Sequence, residues 1–521
     1  TLLLNNRNKS VVILSPEKGK QSKIEQEFRK KRKEMKQNFS KEEIQCLIEE
    51  NQMLEKYQLE EDTQEILNQI PFLKVEDVEK KADILETKEI QSKYKMIFTP
   101  LDTNGIVYSQ LLFDTACVPQ ELLPYVGLMT SIFAKLDTKK YDFNTLPLEI
   151  NFYTGGVHLS NDIYSKSNKD GLSFVTVNAK VLEKNISKLF ELIKSILFET
   201  DFSQKENLKK IIKTTIINFE SYFQNAPHLI GVTRSMSHIA MGFKIKEEIA
   251  GVDFYHFLTE REKNLEKNID DIISKIQLTA SYIFTKQNFF VAVGCEAKSL
   301  PDYQKEVDKI YDVLEDKPLE KQKYSFSFEK TKEAFTSSSK VQYNIQSNYL
   351  EEYGYRYSGA LAVLKTILDL EYLWNVVRVQ GGAYGCGSRF LRNGGFYFYS
   401  YRDPNIQKTY HTYQSAFSFL KEFCKTNTDL TKYILGTINT LDRPLSNGEK
   451  FDIAVARYFT NVTAQMQQKE REEILNTSIK ELEKYIPLLK KLEEIQNICT
   501  IGNENAIKEE SNIFSFITSY L

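Results

Sequence analysis

The stretch that decides the fold reads Tyr372-Leu373-Trp374-Asn375-Val376-Val377-Arg378-Val379-Gln380-Gly381-Gly382-Ala383-Tyr384-Gly385. Cys386 to Phe390 follow, then Leu391-Arg392-Asn393-Gly394-Gly395, Phe396 to Tyr401, and a close on Arg402-Asp403-Pro404-Asn405. This order predicts a helix end, a glycine hinge and a β-hairpin. Asn393-Gly394 is a strong hairpin turn signal, because both residues tolerate positive φ. Gly381 and Gly382 remove side chains where the backbone leaves the helix, so another backbone can approach closely there.

Arg378 and Tyr384 bracket the hinge. A guanidinium and a phenol on either side of a glycine turn can converge on one point and donate hydrogen bonds to a peptide carbonyl as its oxygen gains charge. The alternative is that Arg378 pairs with a surface carboxylate and Tyr384 packs its ring as a strand residue. The backbone of Gly381, Gly382 and Ala383 is a candidate substrate-binding stretch. A strand near Ala383 could pair with a bound peptide by β-augmentation, the alternative being a hairpin fully paired within its own sheet.

Working outward, the same order recurs earlier in the chain. Thr154-Gly155-Gly156-Val157-His158 precedes an expected strand from Gly171 through Val177. A helix with Leu189, Leu192, Ile193, Ile196 and Leu197 on one face comes next. In the later copy the strand runs from Gly395 to Tyr401, and one helix is expected to align Tyr413, Ala416, Phe417, Leu420 and Cys424. Both helices space their apolar residues by three or four. Gly155 and Gly381 lie 226 residues apart, and Gly171 and Gly395 lie 224 apart. We read an internal repeat. Three apolar runs, Ser10 to Leu14, Phe289 to Gly294 and Ile498 to Gly502, are expected strands that each close a domain.

Residues 18–60 differ, being dense in Lys, Glu and Gln. Ile24 to Met35 reads as helix, and Ser40-Lys41-Glu42-Glu43 is a capping box opening a second one. A helical hairpin broken near Asn38 is expected, as a solvated strut. Ile70-Pro71-Phe72-Leu73 should then dock on a domain surface. The resulting division is 1–17, the end of a preceding domain; 18–93, the helical linker; 94–318 and 319–521, two homologous α+β domains. Each is expected to be a mainly antiparallel sheet with helices packed on it.

Composition narrows the function. The 521 residues include 69 Lys or Arg against 71 Asp or Glu, a net charge of −2, which argues against nucleic-acid binding. No apolar run approaches the ~18 residues a membrane span needs. Leu2 to Leu4 is too short for a signal-peptide core. The first residue is Thr1, which reads as a clipped or processed chain. The six cysteines form no C-x-x-C pair and fit a reducing compartment.

The segment 372–405 resembles the C-terminal domain of presequence proteases, among the pitrilysin and insulinase-like peptidases of the inverzincin superfamily. The matching residues are Tyr372 to Trp374, Arg378, Gly381 to Gly385 and Ser400 to Asn405. Further matches are Leu441-Asp442-Arg443-Pro444-Leu445-Ser446, Ala456-Arg457-Tyr458-Phe459 and Arg471-Glu472-Glu473-Ile474-Leu475. Leu73 to Asp77 looks like the exit of the family's linker hairpin.

The resemblance implies four related α+β domains in two halves, closing around a chamber that receives unfolded peptides such as cleaved targeting or signal peptides. This chain would supply the end of the second domain, the linker, and the third and fourth domains. Arg378 and Tyr384 would reach the active site of the other half to hold substrate and stabilise the tetrahedral intermediate.

The family's zinc motif is His-x-x-Glu-His. The five histidines, His158, His228, His238, His256 and His411, include no pair four residues apart. In the first repeat the corresponding helix reads Pro124-Tyr125-Val126-Gly127-Leu128-Met129, apolar where ligands would stand. No metal ligand is therefore expected in this chain, and zinc would be bound by an N-terminal catalytic half outside it. His158, two residues after Gly156, is read as a surface or structural residue. The expected function is the C-terminal half of a zinc metalloendopeptidase, inactive alone. The competing reading is a non-catalytic partner or scaffold subunit, against which the retention of Arg378 and Tyr384 argues. Lys-, Ile- and Asn-rich usage fits a bacterial cytoplasm, with a mitochondrial or plastid matrix as the alternative.

Overall fold

The structure is a computed structural model describing residues 5–519, apart from 16, 18, 60–62, 68, 70 and 72. It has two compact units, residues 1–73 and 74–521.

In the first unit, helices Lys20–Asn38 and Lys41–Leu59 form the expected hairpin. The Ser40 backbone N–H donates to Glu43 at 2.7 Å, and the Glu43 N–H donates to the Ser40 hydroxyl at 3.1 Å, closing the capping box. The strand expected at Ser10 to Leu14 is absent. Those residues form no ladder, and Val11 to Leu14 are almost fully exposed. A strand needs a partner for its backbone groups, and the described residues of this unit provide none. The docking expected of Ile70 to Leu73 involves positions 70 and 72, which lie outside the described residues.

The second unit holds two six-stranded sheets. The first contains β1 (Lys88–Ile90), β2 (Lys95–Pro100), β3 (Ile106–Asp114), β4 (Thr154–Tyr164), β5 (Leu172–Leu182) and β6 (Phe289–Cys295). Its order is β1-β2-β6-β3-β5-β4. The second contains β7 (Lys332–Ser337), β8 (Tyr343–Tyr349), β9 (Gly385–Phe390), β10 (Gly395–Tyr401), β11 (Ile498–Asn503) and β12 (Phe516–Ser519), in the order β12-β7-β11-β8-β10-β9. Five strands follow one plan in both: first, last, second, fourth, third. The sheets are mainly antiparallel, with one parallel pairing in the first and two in the second. Only the outermost strand differs, β1 running antiparallel to β2 and β12 parallel to β7.

Strand alternation sorts side chains onto two faces. On the first sheet Val107, Leu111, Val175, Val177, Val291 and Val293 face one core, with helix Ile186–Phe198 among its cover. Ile97, Leu112, Phe174, Phe290 and Ala292 face the other way. That second face is covered by helix Asn447–Thr460, which follows β10 in the chain and inserts Phe451, Val455 and Phe459. The second sheet receives the converse. Helix Pro227–Ser237 lies on Tyr343, Ile345, Cys499 and Ile501. A Cβ at Gly231 would lie 2.5 Å from Ile345, so this crossing needs glycine. Each half thus covers the outer face of the other's sheet. Burying each of these large apolar side chains contributes about 1.5–3 kcal/mol.

Two details of the second half depart from expectation. The aligned helix over Tyr413 to Cys424 is two helices, Gln407–Gln414 and Ala416–Thr426, meeting at Ser415. Tyr413, Ala416, Leu420 and Cys424 are buried as expected, but Phe417 is only half-buried. The helix entering the glycine hinge continues past Gly359–Ile367 as a π-helix, Leu368–Gln380.

Candidate functional site

The hinge is built by the π-helix, a four-residue turn and the edge strand β9. π-Helical backbone is rare and recurs at functional sites. Here it carries Trp374 and Arg378. The Arg378 guanidinium sits 3.8 Å from the centre of the Trp374 ring and 5.8 Å from that of Tyr384. The charge is held against two aromatic faces. Arg378 makes no side-chain hydrogen bond or ion pair among the described residues, so the surface carboxylate considered for it is not found. Tyr384 lies one residue before β9, and it is 67% exposed rather than packed. Trp374 is 44% exposed.

The backbone under these side chains is pinned. Gly382 N–H donates to Arg378 O at 2.9 Å, and Ala383 N–H donates to Val377 O at 3.1 Å. Gly382 has φ +81°, the left-handed region that favours glycine. Tyr384 N–H donates to Tyr401 O at 3.1 Å, and Ala383 is buried. The Asn405 side-chain amide donates to Gly381 O at 2.7 Å. Asp403, fully buried, accepts from Asn405 N–H at 2.9 Å and from the Thr409 hydroxyl at 2.6 Å. The Arg402 to Asn405 close is therefore the clamp that holds the glycine hinge. Arg402 itself sits at φ +50°. Trp374, Asp403 and Asn405 were not singled out as site residues from the sequence. The signal available was their place in the two ends of the hinge motif.

β9 is the end strand of its sheet, so one long edge has no strand beside it. That edge is not fully open. Ser388 N–H and hydroxyl both donate to Asp369 on the π-helix, at 2.7 and 2.8 Å. A peptide adding to β9 would compete with Asp369 at Ser388 and be freest beside Gly385 to Gly387. The Cys386 thiol is pushed up to about 12 by burial, which rules it out as a nucleophile near neutral pH.

The equivalent place in the first half is different. His158, on edge strand β4, is exposed and lines a cleft of about 330 Å³ with Gly155, Gly156, Gln110 and Asp452. Gln110 donates to Asp452 at 2.9 Å. Burial, with Asp162 nearby, raises the Asp452 carboxyl. Among the described residues no group of three or more His, Cys, Asp or Glu side chains is placed to hold a metal ion. No helix among them is long and apolar enough to cross a membrane.

Two repeated α+β sheets with exchanged covering helices define one half of an M16 peptidase fold. An M16 peptidase inactive domain from Pseudomonas fluorescens superposes over 80% of this chain and 97% of its own, with TM-score 0.58 and 13% identity. A Helicobacter pylori protease superposes with TM-score 0.55 over 80% and 99%, again at 13% identity. Residues 14–260 match the associated region of subfamily C of the M16 peptidases, and residues 332–504 match the family "PreP C-terminal domain".

The chain belongs to the presequence-protease-like M16 peptidases and corresponds to their C-terminal half. Protein HypA of Clostridium perfringens is 34% identical over 523 residues, covering 100% of this chain and 53% of that protein. Presequence protease 1, chloroplastic/mitochondrial, of Arabidopsis thaliana is 27% identical over 489 residues, 93% of this chain and 45% of that protein. The chain thus spans about half the length of the curated relatives it matches.

Proposed function

We propose that this chain is the substrate-holding half of a zinc metalloendopeptidase that degrades short unstructured peptides, targeting or signal peptides among them, in a closed chamber. The observation that carries this is the hinge. A guanidinium and a phenol stand together at a clamped glycine turn, exposed, with no protein acceptor among the described residues. Arg378 and Tyr384 donate hydrogen bonds to a substrate carbonyl as its oxygen gains charge. Gly381, Gly382 and Ala383 let the peptide backbone come close.

Preorganised donors need no reorientation as the barrier is crossed, and losing one typically costs ~2.7–4 kcal/mol. Zinc and its ligands belong to the N-terminal catalytic half, since the described residues of this chain do not fit a metal site. The names of the relatives support a bacterial or organellar compartment. The hinge disfavours the scaffold reading, because a pure assembly surface has no use for two unpartnered donors held over a glycine turn.

The test is the chain alone, assayed for metal and for peptide cleavage. It is expected to hold no stoichiometric zinc and to cleave nothing. Chelator-sensitive cleavage by the chain alone would overturn the assignment.

A further inference from the structure

Three stretches singled out in the sequence take no part in the hinge: Leu441 to Ser446, Ala456 to Phe459 and Arg471 to Leu475. They meet around one cavity of about 420 Å³. Its walls also include the loop 79–83 and Arg392 from the β9–β10 turn, the end of the hairpin away from Tyr384. The loop is strapped down. Arg471 donates to Glu79 O at 2.8 Å, and Ala82 N–H donates to the Gln468 side chain at 2.9 Å.

Six cationic side chains line the cavity: Lys81, Arg392, Arg443, Lys450, Arg457 and Arg471. Three have carboxylate partners. Arg471 forms a fork with Asp442 at 2.6 and 2.8 Å, Arg392 one with Glu470 at 2.8 and 3.0 Å, and Arg443 pairs with Glu449 at 2.8 Å. Arg457, Lys81 and Lys450 have no side-chain hydrogen bond or ion pair among the described residues. Arg457 is half-buried, and burial together with the neighbouring Arg392 charge pushes its guanidinium down. An unpaired, partly desolvated guanidinium beside another is costly unless an anion joins them. Gln467 adds an independent sign. It is 8% exposed, lines the same cavity, and its side-chain oxygen is buried with no partner. It requires a donor that the protein does not supply.

We propose that this cavity binds a compact oxyanion carrying an adjacent N–H or O–H, with Arg457 at its centre. The oxyanion sits between Arg457 and the ammonium groups of Lys81 and Lys450, and its neighbouring N–H or O–H donates to Gln467. Two sources share that chemistry. One is the terminal carboxylate of a peptide, whose last amide N–H lies beside it. The other is a singly protonated phosphate. The volume suits a group of that size and not an extended chain. The site is separate from the hinge and does not depend on its role.

Calorimetric titration of the full-length protein at low salt tests this with three probes. They are inorganic phosphate, a tetrapeptide with a free C-terminus, and the same tetrapeptide amidated. Phosphate or the free peptide is expected to bind, the amidated peptide at least tenfold more weakly than the free one. Arg457→Gln is expected to weaken binding at least tenfold. Lys81→Gln with Lys450→Gln, both on half-buried or exposed side chains, is expected to weaken it several-fold and serves if Arg457→Gln does not fold. Phosphate binding alone assigns the phosphate source, and free-peptide binding alone assigns the carboxylate. No binding of either overturns the site, as does binding that every folded variant leaves unchanged.

Discussion

The two hinges of this molecule share a scaffold and differ in chemistry. Subtracting the 226-residue offset sets Tyr384 over His158, Arg378 over Phe152 and Trp374 over Leu148. Phe152 and Leu148 are 80% and 67% exposed, so these positions face outward in both halves. The glycine with positive φ is kept in both, Gly156 at +117° and Gly382 at +81°. The first half places apolar groups and an imidazole where the second places a guanidinium stacked on indole and a phenol. The entry also differs, α-helical at Thr145–Tyr153 and π-helical at Leu368–Gln380. A repeated fold supplies equivalent positions; which of them can assist chemistry is decided by a few exposed side chains.

The sharpest way to break this comparison is to remove the guanidinium. In an intact enzyme, Arg378→Ala is expected to raise the barrier by ~2.7–4 kcal/mol, roughly 100- to 1000-fold in kcat. Phe152→Ala should change kcat less than about twofold. Equal effects in a peptide-turnover assay would mean that the two hinges do the same work.

The next effect concerns the helices the halves exchange. Where helix Pro227–Ser237 meets the second sheet, Arg234 forms a fork with Glu333 at 2.8 Å on both branches, and His238 lies 3.0 Å from Glu333. Burial alone would raise Glu333, but hydrogen bonds from Arg234 and His238 outweigh it and hold the carboxyl at about 2. The opposite crossing has only Gln110 on Asp452, whose carboxyl burial raises. Glu333→Gln is expected to cost about 3 kcal/mol in a denaturant melt.

The pH sign follows from the depressed value. The Glu333 contribution, about 3 kcal/mol, is complete above its ordinary value of 4.5 and is lost as pH falls from 4.5 towards 2. Asp452 acts oppositely, since a raised carboxyl favours folding more as it protonates. Wild type should therefore lose more stability between pH 5 and pH 2.5 than Glu333→Gln does. Parallel losses would remove this pair from the acid response.

Smaller effects follow at the hinge itself. Gly382→Ala forces a side chain into positive φ and should cost about 1 kcal/mol, with Gly156→Ala close to it. Trp374→Ala removes the ring under Arg378, a contact worth ~0.5–1 kcal/mol at an exposed site. A several-fold fall in kcat/KM is expected, with Leu148→Ala silent in the same assay.

Much of this was legible in the sequence, for physical reasons that also explain the gaps. The hairpin 385–401, its Gly394 turn and the glycine hinge are local, set by turn chemistry and alternation. Gly394 takes φ +89° as expected, although Asn393 stays at negative φ and instead accepts from Gly395 N–H at 3.1 Å. The helical hairpin followed from its capping box, and β6 and β11 from apolar runs buried on both faces. Ser10 to Leu14 misled because an apolar run gives strand propensity but no partner. The π-helix leaves no trace in apolar spacing. The exchange of helices Pro227–Ser237 and Asn447–Thr460 is a long-range fact, and periodicity shows only that each has an apolar face. The cavity around Arg457 gathers residues from 79 to 471, which no local pattern reveals. That Tyr384 is exposed and Arg378 unpaired also needed the structure.

The role assigned to the second hinge stands or falls most directly on Tyr384→Phe in the intact enzyme, with peptide turnover and bound zinc measured on the same sample. The change removes one hydroxyl from an exposed ring and leaves the hinge backbone alone. A phenol that stabilises the developing oxyanion predicts kcat lower by roughly 100-fold or more, with zinc content and KM close to wild type. Unaltered turnover, or a loss that tracks zinc, would contradict it.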